Sequence, residues 1–193
     1  QFSVFFPERR QFFLENASLF GINVGPSGGG SGEAIRIQPF FSRRIGLNNA
    51  GSPIPIDVGG RFVHRSGQRN YGGMIIRQRA SDVSPSTNFF VGRFSENFGN
   101  NSRIGGLTTV KHDGANTNAS GTLDAFIRLD KAQSINTLVS YAGSNNGGQK
   151  GFAGIAQYLY STNKWRGWWT QSVIGENYNP AMGFISRSDI IST

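Results

Sequence analysis

Hydrophobic and polar positions alternate with a period of two through most of the chain, from residue 53 to about residue 176. A half-buried β-strand requires that period, whereas an amphipathic helix repeats every 3.6 residues. Clusters of Gly, Asn, Ser and Pro separate the alternating segments and are typical of turns. The pattern predicts eight strands, in the segments 54–65, 71–79, 90–95, 103–111, 122–130, 135–144, 151–161 and 165–176.

The connections between these strands predict how they pair. No stretch of twelve residues has a helical pattern, so successive strands follow one another directly and form an antiparallel meander. A meander of this many strands usually closes or folds over. Residues 1–52 have no such pattern and contain a Gly/Ser-rich stretch over 25–32, which predicts a flexible loop within an irregular segment. We therefore divide the chain into an irregular segment, 1–52, and a strand region, 53–193.

The two faces of the predicted strands differ in chemistry. One face carries Gly, Ala, Val, Ile and Leu, with aromatic residues near the strand ends, and in the second strand it includes Met74 and Ile76. The opposite face carries Arg with scattered Asp, Gly and Thr. Strands of about 9–11 residues with this alternation and with aromatic girdles are typical of transmembrane β-barrels. The fold class predicted is all-β: an antiparallel meander forming part of a transmembrane β-barrel, with about eight strands present.

Aromatic residues cluster in the last two predicted strands. Trp and Tyr are enriched at membrane interfaces, so these side chains are candidates for an interfacial belt. The alternative is that they stack on sugar rings, as exposed aromatic residues do in carbohydrate-binding proteins. Two adjacent Trp residues on one strand cannot both face lipid. The candidates are Tyr158, Tyr160, Trp165, Trp168 and Trp169.

Composition excludes several other classes. Glycine accounts for 27 of 193 residues, and glycine destabilises helix interiors. The chain has no uncharged apolar run of about 18 residues, as a membrane-spanning helix would need. Aromatic residues make up 12% of the chain, too many for a disordered segment. The absence of Cys excludes disulfides and thiolate metal sites.

The formal net charge of +8 comes mainly from arginine, since only four of the 19 basic residues are Lys. Arginine suits paired carboxylates and bound anions, because its planar fork donates two parallel hydrogen bonds. We expect the strand arginines and aspartates to line the polar face of the wall. They form either a positive lumen that favours anionic solutes or cross-strand ion pairs that fill it. The residues are Arg61, Arg65, Arg77, Arg79, Arg93, Arg103, Arg128, Asp57, Asp124 and Asp130.

A second group of charges lies among the Phe residues of the irregular segment. Acids and paired arginines in such a setting predict ion pairs that are buried or face a lumen. These residues either dock the segment on or in the barrel or simply tie a preceding module to the first strand. The candidates are Glu8, Arg9, Arg10, Glu15, Arg43 and Arg44.

Several sequence blocks carry a family resemblance: Pro7–Asn16 (PERRQFFLEN), Leu19-Phe20, Phe40–Gly46 (FFSRRIG), Pro53–Ile56 (PIPI), Gly59–Arg61 (GGR) and Ser86–Phe89 (STNF). The chain resembles an uncharacterised family of outer-membrane β-barrel domains of Gram-negative bacteria. In that family the barrel follows a module similar to the family-9 carbohydrate-binding domain. That module is absent here and the family barrels have more strands, so we expect the chain to be a fragment of a longer protein. The resemblance implies an outer-membrane location, with lipid and lipopolysaccharide as partners.

Candidate chemistry is sparse. The two histidines, His64 and His112, have no spacing typical of a metal site, and no nucleophile-elbow motif occurs. The run Gly28–Gly32 lacks the Lys-Ser/Thr of a phosphate loop. The basic residues are scattered over strands, which disfavours nucleic acid as a partner. We therefore expect no enzymatic activity, no cofactor and no metal.

The predicted function is that of an outer-membrane barrel protein in glycan or solute handling, transport or envelope organisation. Its further partners would be a glycan, an anionic solute or other envelope proteins. Two alternatives stay open: a soluble β-sandwich that binds glycans, and a membrane barrel attached to a catalytic or carbohydrate-binding part outside this chain.

Overall fold

The computed structural model describes residues 8–22, 24, 37–48, 52–81, 85–99, 101–147, 150–185 and 188–192. The predicted loop over 25–32 lies outside these ranges. The described elements are the single-turn helices α1 (Gln11–Leu14) and α2 (Ala17–Phe20), strand β1 (Ile37–Gln38), a 3-10 turn (Ser42–Arg44), and strands β2 (Ile56–Arg65), β3 (Arg69–Gln78), β4 (Thr87–Phe98), β5 (Ser102–His112), β6 (Thr117–Arg128), β7 (Gln133–Ser144), β8 (Lys150–Ser161), β9 (Arg166–Ile174), β10 (Phe184–Ile185) and β11 (Ile190–Ser192).

The long strands form one antiparallel meander of nine strands, in which β2 to β9 pair in chain order and β11 adds to β9. The eight predicted strands and their antiparallel order are therefore confirmed. The sheet does not close on itself, and its edges in the described ranges are β2 and β11. The short strands β1 and β10 pair separately. No helix in the described part of the chain is long and apolar enough to cross a membrane.

The two faces of the sheet have different surroundings. We call one the covered face, because the segments 8–22, 37–48 and 175–185 pack on it. Its buried apolar side chains include Met74, Val91, Leu107, Leu138 and Ile155. We call the other the open face, because none of the described segments packs on it. Its exposed apolar side chains include Phe62, Ile75, Phe94, Leu123 and Val139.

Strand β3 has the reverse orientation to the one expected. Met74 and Ile76 are buried on the covered face, and Arg77 follows Ile75 on the open face. The assignment from the sequence is wrong here because β3 is hydrophobic on both faces, so a period of two cannot say which face is covered. The covered face needs apolar side chains at this point, because α1 and α2 contribute Phe13, Leu19 and Phe20 to the same hydrophobic cluster.

Two glycines allow the covering segments to approach the sheet closely. A Cβ added to Gly151 in β8 would lie 2.2 Å from the backbone nitrogen of Tyr178. A Cβ added to Gly72 in β3 would lie 2.9 Å from a methyl group of Leu19. No larger residue fits at either position without displacing the backbone or side chain that covers it.

Candidate functional site

Two arginines of β2 hold the helical turns against the covered face. The Arg61 guanidinium donates to the backbone carbonyl of Phe12 and to the carboxylate of Glu15. Arg65 donates to the hydroxyl of Ser18 at 3.1 Å. The carbonyls of a short helix have few partners of their own, so the contact with Arg61 gives the Phe12 carbonyl a partner. The two arginines thus anchor the segment to the sheet.

A fully buried ion pair lies at the centre of the covered face. Arg93 in β4 donates to both carboxylate oxygens of Asp124 in β6, at 2.5 and 2.9 Å, and the two side chains are 2% and 3% exposed. The Arg93 Nε also donates to the carbonyl of Leu19 at 3.2 Å. Gly105 in β5 leaves room for this pair, because an added Cβ would lie 2.7 Å from Arg93 Nη1. Arg93 therefore joins the sheet to the helical turns, because it contacts both Asp124 and Leu19.

Arg103 in β5 has much weaker charge compensation. Its Nη2 lies 4.0 Å from Asp124 Oδ2, an oxygen that already accepts a hydrogen bond from Arg93. Its Nε is buried and has no hydrogen-bond partner. Among the described residues, two guanidinium groups thus share one carboxylate, and the surplus positive charge lies on Arg103.

The start of the irregular segment forms its own polar cluster. Glu8 accepts hydrogen bonds from Arg10, at 2.7 and 2.9 Å, and from the hydroxyl of Ser42 at 2.6 Å. Arg10 also donates to the carbonyls of Ser42 and Ile45, at 3.0 and 2.6 Å. Burial alone would raise the pKa of Glu8, but the hydrogen bonds from Arg10 and Ser42 outweigh it and lower the pKa to about 2. This cluster joins residues 8–10 to residues 42–45.

The remaining arginines of this segment have different surroundings. Arg44 donates to the carbonyl of Gly183 at 3.1 Å and so joins the 3-10 turn to the segment 175–185. Arg9 is exposed, and Arg43 is partly buried in the same 3-10 turn. Glu15 thus joins the segment to β2 through Arg61, and Arg44 joins it to the segment 175–185.

Several predicted lumen residues lie away from the covered face. Arg77 and Arg79 follow the open-face register of β3, and Arg79 pairs with Asp57 at 2.6 Å in an exposed contact. The expectation that they share a face with Arg61 and Arg93 is wrong, because β3 has the reverse orientation described above.

Arg128 and Asp130 lie at the end of β6. The exposed guanidinium of Arg128 is 5.7 Å from the centroid of the Phe126 ring. Asp130 lies in the β6–β7 turn, where the backbone N–H of Ala132, ahead of that of Gln133, lowers its pKa. Both therefore belong to the strand end, and the lumenal role of these residues stays a prediction.

The aromatic candidates lie at the end of the sheet that carries the β8–β9 turn. Trp165 lies in that turn, and the three Trp side chains are 52–75% exposed. Trp169 is the Cα partner of Tyr158 on the open face, and Trp168 is the partner of Leu159 on the covered side. The adjacent Trp residues thus point to opposite sides, as the alternation of a strand requires. Tyr160 is exposed on the open face.

Sequence reasoning missed a line of hydroxyl groups on the covered face. Thr109 pairs with Ser120 at 2.7 Å, and Thr122 pairs with Ser140 at 2.8 Å. The Tyr178 hydroxyl donates to Ser140 at 2.8 Å, and burial raises the pKa of this phenol. Ser and Thr at alternate positions of neighbouring strands are the signal that could have shown them. The first two bonds join neighbouring strands, and the Tyr178 bond joins the segment 175–185 to the sheet.

The open face has the opposite character. Within the described strands β2 to β9, the charged residues of this face lie near the strand ends: Arg69, Arg77, Glu96 and Lys150. An exposed apolar face of this width is unusual on the surface of a monomeric soluble protein. Its members include Phe62, Ile75, Phe90, Phe94, Ile104, Leu123, Val139, Tyr141 and Phe152.

A polar cavity of about 710 Å³ opens on the covered side, near the β2–β3 and β4–β5 turns. Its lining combines Arg103 with the aromatic ring of Phe126 and the carboxamides of Gln68, Asn97, Asn101 and Asn136. Neither the helical turns nor the segment 175–185 contributes to this lining. The cavity is therefore a part of the covered face that the described covering segments leave open.

The two histidines lie at opposite ends of the sheet. His64 stacks on Tyr71 with ring centroids 4.7 Å apart, and His112 Nδ1 lies 2.9 Å from the hydroxyl of Thr117. The described residues contain no group of three or more His, Asp or Glu that could hold a metal ion.

Comparisons with protein-family models, with curated proteins and with solved structures give no match. The family resemblance therefore stays a prediction. The fold and the two faces of the sheet are the basis for the functional argument.

Proposed function

We propose that this chain forms part of the wall of an outer-membrane β-barrel. Its open face meets lipid, and its covered face encloses the segment anchored by Arg61 and Arg93. The observation that carries the proposal is the exposed apolar face across eight paired strands, whose charged residues lie near the strand ends. Exposed apolar side chains gain free energy from contact with acyl chains, whereas in water each would remain hydrated.

The height of the apolar band supports a lipid-facing role. In β6 the open face runs from Ala119 to Ile127, about 27 Å along the strand at about 3.4 Å per residue. Strands of membrane barrels tilt by about 35–45°, which reduces this to about 20 Å across the membrane. Leu129, exposed just beyond the strand, extends the band toward the height of about 25 Å found in such barrels.

The distribution of polar groups supports the same orientation. Every backbone group in a membrane must find a hydrogen-bond partner within the protein, and paired strands provide this. Ion pairs and hydroxyl pairs lie on the covered face, where Arg93–Asp124 and Thr122–Ser140 are buried. The edges β2 and β11 are where further strands would pair to close a wall.

The anchoring contacts favour a plugged interior over an open anion path. Arg61, Arg65 and Arg93 all donate to residues 12–19 of the docked segment. Their charge therefore stabilises the covering segment and is not displayed to a solute. In this proposal the chain is non-enzymatic and serves envelope organisation or glycan handling, with membrane lipid as its main partner.

The test uses single-tryptophan variants in lipid. Trp169 lies on the open face and Trp168 on the covered side of the same strand, which makes them matched probes. We expect brominated phospholipids to quench a variant that retains only Trp169 more strongly than one that retains only Trp168. The protein should also fractionate with outer membranes and migrate differently after heating. Extraction into plain buffer, or equal quenching of the two variants, would overturn the proposal.

A further inference from the structure

We propose that the cavity lined by Arg103 and Phe126 binds a carboxylated sugar. The site needs only the folded sheet, so the inference does not depend on whether the open face meets lipid. The proposed function assigns no ligand to the covered face. This inference assigns a ligand class to the part of that face that the described covering segments leave open.

The first argument is charge. Asp124 accepts two hydrogen bonds from Arg93 at 2.9 Å or less, whereas its distance to Arg103 is 4.0 Å. Arg103 also keeps a buried Nε without a partner. A guanidinium placed beside an occupied carboxylate attracts a second anion, and an anion can reach Arg103 because its side chain is 43% exposed. The cavity therefore favours a ligand with one negative charge.

The second argument is the geometry of the anionic group that Arg103 can bind. A guanidinium binds a carboxylate through two parallel N–H···O bonds, which fixes the orientation of the ligand. Phosphate groups carry more charge and are usually held by several basic residues or by a series of backbone N–H groups. Arg103 is the only Lys or Arg among the residues that line the described cavity. The single guanidinium in this cavity thus matches a ligand with a single carboxylate group.

The third argument is the rest of the lining. The hydroxyl groups of a sugar need both hydrogen-bond donors and acceptors, and a carboxamide offers both. Three of the carboxamides that line the cavity belong to Asn97, Asn101 and Asn136. The Phe126 ring gives an apolar surface on which the C–H face of a pyranose can pack. A volume of about 710 Å³ lies within the range of about 300–1,000 Å³ typical of ligand sites. Together these groups match a hexuronate unit.

The test is calorimetric titration of the folded full chain in detergent. The probes are D-galacturonate, D-galactose, acetate and inorganic phosphate. We expect galacturonate to bind at least tenfold more tightly than galactose, since loss of a charge-assisted hydrogen bond costs about a factor of ten or more. We expect the same margin over acetate and phosphate, because both lack the sugar ring and its hydroxyl groups. If galactose bound as tightly as galacturonate, the ligand's carboxylate would play no part in binding. Equal binding of acetate or phosphate would reduce the site to a simple anion site, and either result overturns the proposal.

Variants separate the site from general charge effects. Arg103→Gln should weaken galacturonate binding at least tenfold. Lys164→Gln removes the same charge from the exposed β8–β9 turn and should leave binding unchanged. Asn136→Ala should weaken galacturonate but not acetate, because only the sugar has hydroxyl groups to lose. An unchanged affinity in a folded Arg103→Gln protein, or an equal loss in both charge variants, contradicts the assignment. Strand content by circular dichroism shows that each variant is folded.

Discussion

Replacing Leu123 by Arg places a charge in the middle of the open face. Leu123 lies in β6 and is 70% exposed, with Gly106 and Val139 as its Cα partners on the two neighbouring strands. It is four residues from Ala119 and four from Ile127, about 14 Å along the strand in each direction. With a tilt of about 40°, this is a depth of about 10 Å from either end of the band.

The expected cost depends on what covers the face. In a lipid bilayer an arginine near the midplane of a barrel wall costs about 2–4 kcal/mol, because the guanidinium loses water. On a water-exposed sheet the same change alters the free energy of unfolding by no more than about 0.5 kcal/mol. The side chain is already 70% exposed, so loss of packing contributes little to either value.

The assay is urea unfolding of the protein in phospholipid vesicles, followed by tryptophan fluorescence. The matched control is Leu129→Arg, which adds the same side chain at a 54% exposed position just beyond β6. An interfacial arginine costs only about 0–1 kcal/mol, so the central variant should be destabilised by at least about 1 kcal/mol more than the control. A cost within about 0.5 kcal/mol of wild type for Leu123→Arg, or equal costs for the two variants, refutes the lipid-facing assignment.

Three further predictions concern the covered face. Asp124→Asn should lower the free energy of unfolding by about 3–5 kcal/mol in urea titrations, because Arg93 stays buried without its counter-charge. Gly151→Ala should raise hydrogen exchange in the loop that carries Tyr178, since the added Cβ would lie 2.2 Å from that backbone nitrogen. Folding lowers the pKa of Glu8 from 4.5 to about 2, so its stabilising contribution is complete above pH of about 4.5 and is lost as the pH falls toward about 2. Limited proteolysis of the segment after Glu8 should accelerate over that acidic range.

Matched variants make these outcomes specific. Asp57→Asn breaks the exposed pair with Arg79 and should cost less than about 1 kcal/mol, so an equal loss for Asp124→Asn would contradict the role of burial. Gly121→Ala adds a Cβ where nothing lies within 4 Å. Equal exchange in the two alanine variants would rule out the close approach at Gly151. The acid-dependent step should disappear in Glu8→Gln, and its persistence would assign the effect to another group.

The strands could be predicted from the sequence because their signals are local. Alternation with a period of two and turn residues such as Gly114 and Gly147, both with positive φ, depend only on neighbouring residues. The same signals gave the antiparallel order, since turns of a few residues can join only antiparallel neighbours. Arg93 and Asp124 could likewise be assigned to one face before their pairing was known.

The covering of that face could not be predicted, because it depends on contacts between distant parts of the chain. Arg93 and Asp124 are 31 residues apart, and Tyr178 and Ser140 are 38 apart. Such contacts depend on how elements that are not neighbours in the chain pack together, which leaves no periodic trace in the sequence. The orientation of β3 and the cavity beside Arg103 follow from that packing.

The sequence by itself thus determined an all-β meander of alternating strands with an arginine-rich polar side. Only the tertiary structure decided which side is covered, which arginines anchor the irregular segment and which one faces a cavity. The physical reason is that backbone pairing follows from local alternation and turns, whereas the partner of a buried charge is fixed by the complete packing around it. Arg93 and Arg103 have the same side chain on the same face, but Arg93 is buried and donates to Asp124 and Leu19, whereas Arg103 lies 4.0 Å from Asp124 and lines the cavity.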